Sequence, residues 1–339
     1  MKVLTPARVG AVLLTLLALL AGSALLGLVV GPSALSPEAV VAALFEDRAG
    51  TAGDIVWRVR LPRIALAALV GASLASSGVI FQALLRNPLA DPFVLGVSGG
   101  AALGGIVVLS LGGALGLGYA AVPPAAFAGC LLTTAVLYAV AGVRGHVSST
   151  NLLLTGVVFN AFASAAIVFL ASLAGLTDGA RIFLWLIGNL SVSRIDVAIW
   201  VALFLALGLG ASICLARSLN LLALGDEAAG QLGVPVEWHR RVLLLATSLM
   251  VGAAVSVAGL VGFVGLIIPH LLRLVLGPDH RLLVPAAALG GAAFLVVCDT
   301  VARSVLGGRE LPVGAITAIV GGPLFLFLLR RHQQRVFAP

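Results

Sequence analysis

The side chains equipped for chemistry in this sequence are few, and they fall into four places. Arginines crowd together at 58, 60 and 63, and Arg303 and Arg309 stand near the far end. Guanidinium groups at that density pair with carboxylates or phosphates, or anchor a helix end at lipid headgroups. Arg181 stands in the stretch TDGARIFLWLIGNL, three residues after Asp178. A cation there would attract an anionic solute, snorkel to the headgroups, or pair with Asp178. Asp226 and Glu227 open a short run, Asp226, Glu227, Ala228, Ala229, Gly230, Gln231 and Leu232, set between Gly225 and Gly233. Acids at the start of a small helix complement its dipole, and such a helix serves as a docking element or as an ordinary surface loop. Finally, His270 and Asp299 lie inside apolar runs. A proton relay would use such groups. The structural reading is that His270, directly after Pro269, satisfies carbonyls at a kink, while Asp299 pairs with Arg303 one turn later.

Other chemistries find little to stand on. The phosphate-binding pattern GxxxxGK[ST] does not occur, so any ATP hydrolysis must come from another chain. Cys130, Cys214 and Cys298 sit in apolar stretches without Cys or His neighbours at metal-ligand spacing, which points to packing and to neither a disulfide framework nor a zinc site. Gly96-Val97-Ser98-Gly99 matches the GxSG nucleophile pattern of rhomboid-like intramembrane serine proteases, and His270 as base would complete a Ser–His dyad. Four-residue matches are common in a chain with 41 glycines, and Ser98, Gly99 and Gly100 serve equally to let two helices touch.

The elements that must position these groups are membrane helices. Of 339 residues, 61% are hydrophobic and only 10% charged, against about a quarter charged in soluble domains. Apolar runs near the roughly 20 residues that cross a bilayer occupy 9–30, 62–84, 93–111, 121–142, 151–174, 196–216, 242–261, 263–276, 282–303 and 312–329. The run from Val9 to Val30 is too long for the apolar core of a signal peptide and reads as a retained first span. The net charge of +7 is a topology signal carried between spans, not a nucleic-acid footprint. With the N-terminus in the cytoplasm, twelve of the 20 basic residues fall inside and eight outside, the sign the positive-inside rule requires. An even number of spans returns the tail RRHQQR to the cytoplasm. The chain reads as all-α and as one transmembrane domain over 1–339, with a periplasmic segment at 31–61 and a cytoplasmic loop at 217–240. In the former, Glu38 to Phe45 follows Ser36 and Pro37 as a short amphipathic helix.

The 35 residues from 242 to 276 are too long for one span and too short for two with a turn. Gly259, Gly262, Gly265 and Pro269 sit in their middle and predict two helices with a tight bend, one of them short. Free backbone at such a bend is tolerated only inside the protein or beside a water-filled path. An ion-coupled secondary transporter would also be polytopic, but it usually shows inverted repeats and intramembrane charges, and no repeat is visible here.

Several stretches resemble, in order and spacing, the permease family of iron-siderophore, haem and vitamin B12 ABC importers (the type II importers). They are RLPR at 60–63, LVGASLASSGVIFQALLRNPLADPFVLGVSGGA at 69–101, LLALGDEAAGQLGVP at 221–235, AGLVGFVGLIIPHLLR at 258–273 and RELPVGAITAIVGGPLF at 309–325. The resemblance implies ten helices per subunit and a homodimer with the pathway on its two-fold axis. It implies two cytoplasmic ATPase subunits that carry ATP and Mg²⁺, a periplasmic substrate-binding protein, and residence in the bacterial inner membrane with no cofactor on this chain. It further implies that Asp226 to Leu232 seats in the ATPase, that Arg60, Arg63 and Arg303 pair with acids of the binding protein, with Arg58 and Arg309 as additions, and that a metal chelate is the cargo. Arg181 is then the candidate contact on the substrate pathway.

Overall fold

The computed structural model describes residues 4–33, 35–45, 48, 50–113, 116–143, 146–190, 195–306 and 310–336. Long helices account for nearly all of it. Seven are long and apolar enough to cross a bilayer: α1 (Pro6–Val29), α4 (Leu61–Leu84) with the turns that lead into it, α6 (Val122–Ala141), α7 (Ser149–Leu173), α9 (Ile195–Cys214), α12 (Val236–Ala258) and α14 (His280–Ser304). Three shorter apolar helices, α5 (Val97–Leu111), α13 (Val264–Leu276) and α15 (Val313–Val336), fill the remaining runs, so each of the ten has its helix. The strand structure among the described residues is a two-residue ladder, β1 (Gly142–Val143) with β2 (His146–Val147).

Helix α4 is the axis of the bundle. Its span is 83% buried, whereas α1 is only 17% buried and turns apolar side chains such as Leu14 and Leu25 outward. A helix that is apolar on every face must be covered by other helices or by lipid, and α4 is covered by α14, α12, α13 and α9. Small residues set that packing. A Cβ added to Gly78 would lie 1.9 Å from the carbonyl oxygen of Gly265 in α13, and one added to Gly71 would lie 2.2 Å from that of Gly291 in α14. These are backbone-to-backbone contacts that only glycine allows.

Two boundaries are instructive. The sequence places the second span at 62–84, yet helix begins at α3 (Thr51–Asp54) and runs on through a π-helical turn, Ile55–Arg60, into α4. Pro62 is therefore inside a continuous helical stretch. Its ring would clash with the carbonyl four residues back in a regular α-helix, and a wider turn at that point relieves it. The second boundary is the predicted bend. Helix α12 stops at Gly259 (φ 67°), and α13 starts after Phe263 (φ 68°). The carbonyl of Ala258, freed by the break, accepts from the backbone N–H of Asn189 at 2.8 Å, and the carbonyl of Trp185 lies so close to Gly259 that a Cβ there would be 2.1 Å away. The irregular backbone is thus covered by protein, as an apolar solvent demands. The amphipathic segment is α2 (Pro37–Phe45), and Trp57 Nε1 donates to the carbonyl of Ala43 at its end.

Candidate functional site

The polar groups collect at the two ends of the bundle. One end is built where α10 (Ala216–Leu222) turns through Ala223–Gly225 into α11 (Asp226–Gln231), and the chain then passes Leu232–Pro235 into α12. Gly225, at φ 128°, makes the turn that a side chain would resist. Six residues cannot hold a helix alone, and Ala229 is the residue of α11 that is buried. The rest of its anchorage is electrostatic. Asp226 Oδ1 lies 2.8 Å from Arg240 Nη2, and Asp226 Oδ2 lies 3.6 Å from Arg86 Nη2. Arg240 is buried and also reaches Glu237 Oε1 at 3.1 Å and the carbonyl of Val147. Glu237 in turn accepts from Val147 N at 3.2 Å and from the Tyr138 hydroxyl at 3.2 Å, and Arg241 Nε donates to that hydroxyl.

The two acids at the start of α11 therefore differ. Asp226 is turned inward onto arginines, while Glu227 is exposed, together with Leu224, Gly230, Gln231, Leu232, Gly233 and Trp238. A cleft of about 740 Å³ opens beside them, lined by Ser148, Asn151, Glu227, Pro235 and Trp238 among others. An exposed apolar and acidic rim around a short helix is what a docking surface needs. Nearby, Asp279 caps α14 through the backbone N–H of Arg281. The Arg281 guanidinium, with help from Asn220, holds its carboxyl well below the usual carboxylate range.

The opposite end carries the arginine cluster. Arg60 is 2% exposed and donates to the carbonyls of Leu28, Val29 and Ser33. Arg63 is 5% exposed and grips Asp299 with Nε and Nη2 (2.9 to 3.1 Å), while its Nη1 reaches Glu310 Oε2 at 2.8 Å. Arg303 is 3% exposed, lies 3.5 Å from Asp299 Oδ2, and donates to the carbonyl of Gly27 at 2.6 Å. Arg60, Arg63 and Arg303, expected from the resemblance to pair with acids of a binding protein, are thus buried and bonded within the chain. In this structure the three guanidinium groups are spent on the ends of α1, α4 and α14, because carbonyls and a carboxylate left inside must be satisfied from within. Outward charges near the cluster, among the described residues, include Arg58, whose side chain is 81% exposed beside Asp54, and Arg48, which lies over Trp57 at 4.1 Å. Arg309 lies outside the described residues. The Asp299–Arg303 pair is present, and Arg63 is the member of the network that helical spacing could not reveal, since it lies 236 residues away from Asp299.

Arg181 is exposed on α8 (Leu176–Leu186) and lines a cavity of about 200 Å³ with Tyr119, Trp185, Asn189 and Val257. That cavity abuts the break after α12, while the side chain of Asp178 lies outside the described set. The serine-protease alternative fails on geometry. Ser98 is fully buried and its Oγ has no hydrogen-bond partner, so His270 does not act on it. The neighbours take the packing role instead, since a Cβ at Gly100 would strike Thr133 and one at Gly99 would strike Asn160. Cys130 and Cys298 are buried and Cys214, at the end of α9, is exposed. Among the described residues no group of three His, Cys, Asp or Glu is arranged to hold a metal ion.

Comparison with known proteins gives one answer. The sequence profile of the FecCD transport family matches residues 16–331. The chain is 46% identical over 288 residues to the cobalamin import system permease protein BtuC of Halobacterium salinarum, covering 84% of this chain and 76% of that one. It is 42% identical over 294 residues to the hemin transport system permease protein HmuU of Yersinia pestis, covering 83% and 86%. A solved inward-facing structure of an ABC transporter assigned to the metal-chelate type superposes with a TM-score of 0.83 at 30% identity, over 95% of this chain and 99% of that one. A multi-pass helical bundle with a short exposed helix at one end, matched along nearly its whole length, belongs to the FecCD transport family and is the permease component of an ABC importer.

Proposed function

We propose that this permease carries a metal chelate from periplasm to cytoplasm across the bacterial inner membrane. A ferric siderophore or haem is the first cargo class and cobalamin the next. It acts as a homodimer, with two separate ATPase subunits that bind ATP and Mg²⁺, and it binds no cofactor itself. The observation that carries this reading is α11: a six-residue helix with Glu227, Gly230 and Gln231 outward and exposed Leu232 at its end, pinned from behind by Arg240. An ATPase seated there would push on a small rigid handle. That end of the bundle, where the loop 217–240 lies and near which α1 begins, is then cytoplasmic, as Arg8 bonded to the carbonyl of Leu276 supports. Both termini are cytoplasmic in this reading.

The periplasmic binding protein docks on the opposite end. Arg60, Arg63 and Arg303 build that platform from inside, and Arg58 supplies charge outward. Arg181, beside the break that follows α12, faces the substrate pathway and meets an anionic cargo. The deciding experiment is uptake of labelled haem iron, ferric siderophore iron and cobalamin in cells with and without the gene. Loss of one cargo, restored by the wild type but not by Glu227→Lys with Leu232→Glu, fixes cargo and docking surface together. Unchanged uptake of all three in cells lacking related importers sinks the cargo assignment.

A further inference from the structure

Helix α11 is joined to the membrane helices by very little. Its backbone leaves through glycine-flanked turns, its buried side chain is Ala229, and its firm polar attachment is Asp226. From Asp226 the contacts spread in three directions. Arg240, one turn into α12, holds Oδ1 at 2.8 Å. The same guanidinium holds the carbonyl of Val147, two residues before α7 begins, and Glu237, which ties in Tyr138 near the end of α6. Arg86, just past the end of α4, reaches Oδ2 at 3.6 Å and also contacts Ser149 Oγ at 3.5 Å.

We propose that the Asp226–Arg240 pair is the strut through which displacement of α11 reaches the membrane helices, and that Arg240 is a positioning residue for transport. This rests on α11 being the ATPase docking element. The planar guanidinium fixes two directions at once, which a flexible ammonium does not. Arg240 is 2% exposed and the Asp226 side chain 34% exposed, so the pair is screened less than a fully exposed ion pair would be. Its partners are the bases of α12, α7 and α6, so moving Asp226 by a fraction of an ångström cannot leave them in place. Helix α12 then acts as a lever: 23 residues long, it runs about 34 Å at 1.5 Å per residue to the break at Gly259–Phe263, beside the cavity that Arg181 lines.

The test uses the complete permease–ATPase complex in nanodiscs, with a nitroxide at Leu260→Cys in the break and a cross-linking Cys at Gln231. Arg240→Lys keeps the positive charge and Arg240→Gln keeps polarity and much of the length, and neither alters the docking helix itself. All values are normalised to assembled complex. In the otherwise wild-type complex, Gln231→Cys cross-links to the ATPase, and ATP with vanadate alters the nitroxide spectrum. In the two variants, cross-linking and ATP hydrolysis persist while the spectral response falls about fivefold or more, the low end of typical coupling factors. A merely structural pin would lower yield and melting temperature and leave the response per complex intact; that result overturns the strut. Absence of the cross-link in the otherwise wild-type complex overturns the docking reading, and the strut with it.

Discussion

Asp299 is the residue on which the outer arginine cluster turns. It is 1% exposed and carries the charge of two buried guanidinium groups. Arg63 gives it three contacts between 2.9 and 3.1 Å, and Arg303 stands at 3.5 Å. Asp299→Ala therefore strands two buried cations at once, although Glu310 still reaches Arg63 from a more exposed position. Removing one partner of a buried ion pair costs about 3–5 kcal/mol. For 339 residues at about 2.1 cal/mol/K each, the unfolding entropy is about 0.7 kcal/mol/K. The melting temperature should then fall by about 4–7 °C, read in detergent by the loss of the monodisperse peak on heating. Arg58→Ala, at an 81% exposed side chain, is the control and should not move it. If Asp299→Ala melts with the wild type while losing affinity for the binding protein, the cluster is a docking site after all and its structural assignment is wrong.

Three further outcomes are expected. Gly78→Ala places a Cβ 1.9 Å from the carbonyl oxygen of Gly265, so α4 and α13 must part by about 1.4 Å to restore a contact of about 3.3 Å. Folded yield should collapse, consistent with overpacking of about 3 kcal/mol, whereas Gly22→Ala, with nothing within 4 Å, should be tolerated. Asp91, in the turn between α4 and α5, is buried and its carboxyl is pushed up to about 6 by burial, against a weaker opposing bond from Phe93 N. Between about pH 4 and 6 the unfolded chain releases this proton while the folded chain keeps it, so stability falls as pH rises through that window. Melting of Asp91→Asn across the same range should lack that component; an identical slope would remove the assignment. Arg181→Ala should cut uptake while leaving assembly with the ATPase intact, and normal uptake would refute a pathway role.

Length and polarity of apolar runs were enough to find all ten helices, because lipid forces every backbone bond inside a helix and so writes each span into the sequence as a run. The bend at 259–263 was equally legible, since 35 residues with a single charge, Arg273, fit neither one span nor two. Motif resemblance carried the family. What the sequence could not show was the direction in which a side chain points. Arg58, Arg60 and Arg63 are the same residue type within six positions, yet Arg58 faces out and the other two are spent inside. Asp226 and Glu227 are neighbours of like charge, yet one is gripped by Arg240 and the other is exposed. Adjacent residues on a helix differ by about 100° in direction, and which face meets carbonyls, a carboxylate or open space is set by elements far away in the chain. Arg63 finds Asp299 across 236 residues, and only the packed bundle brings them together.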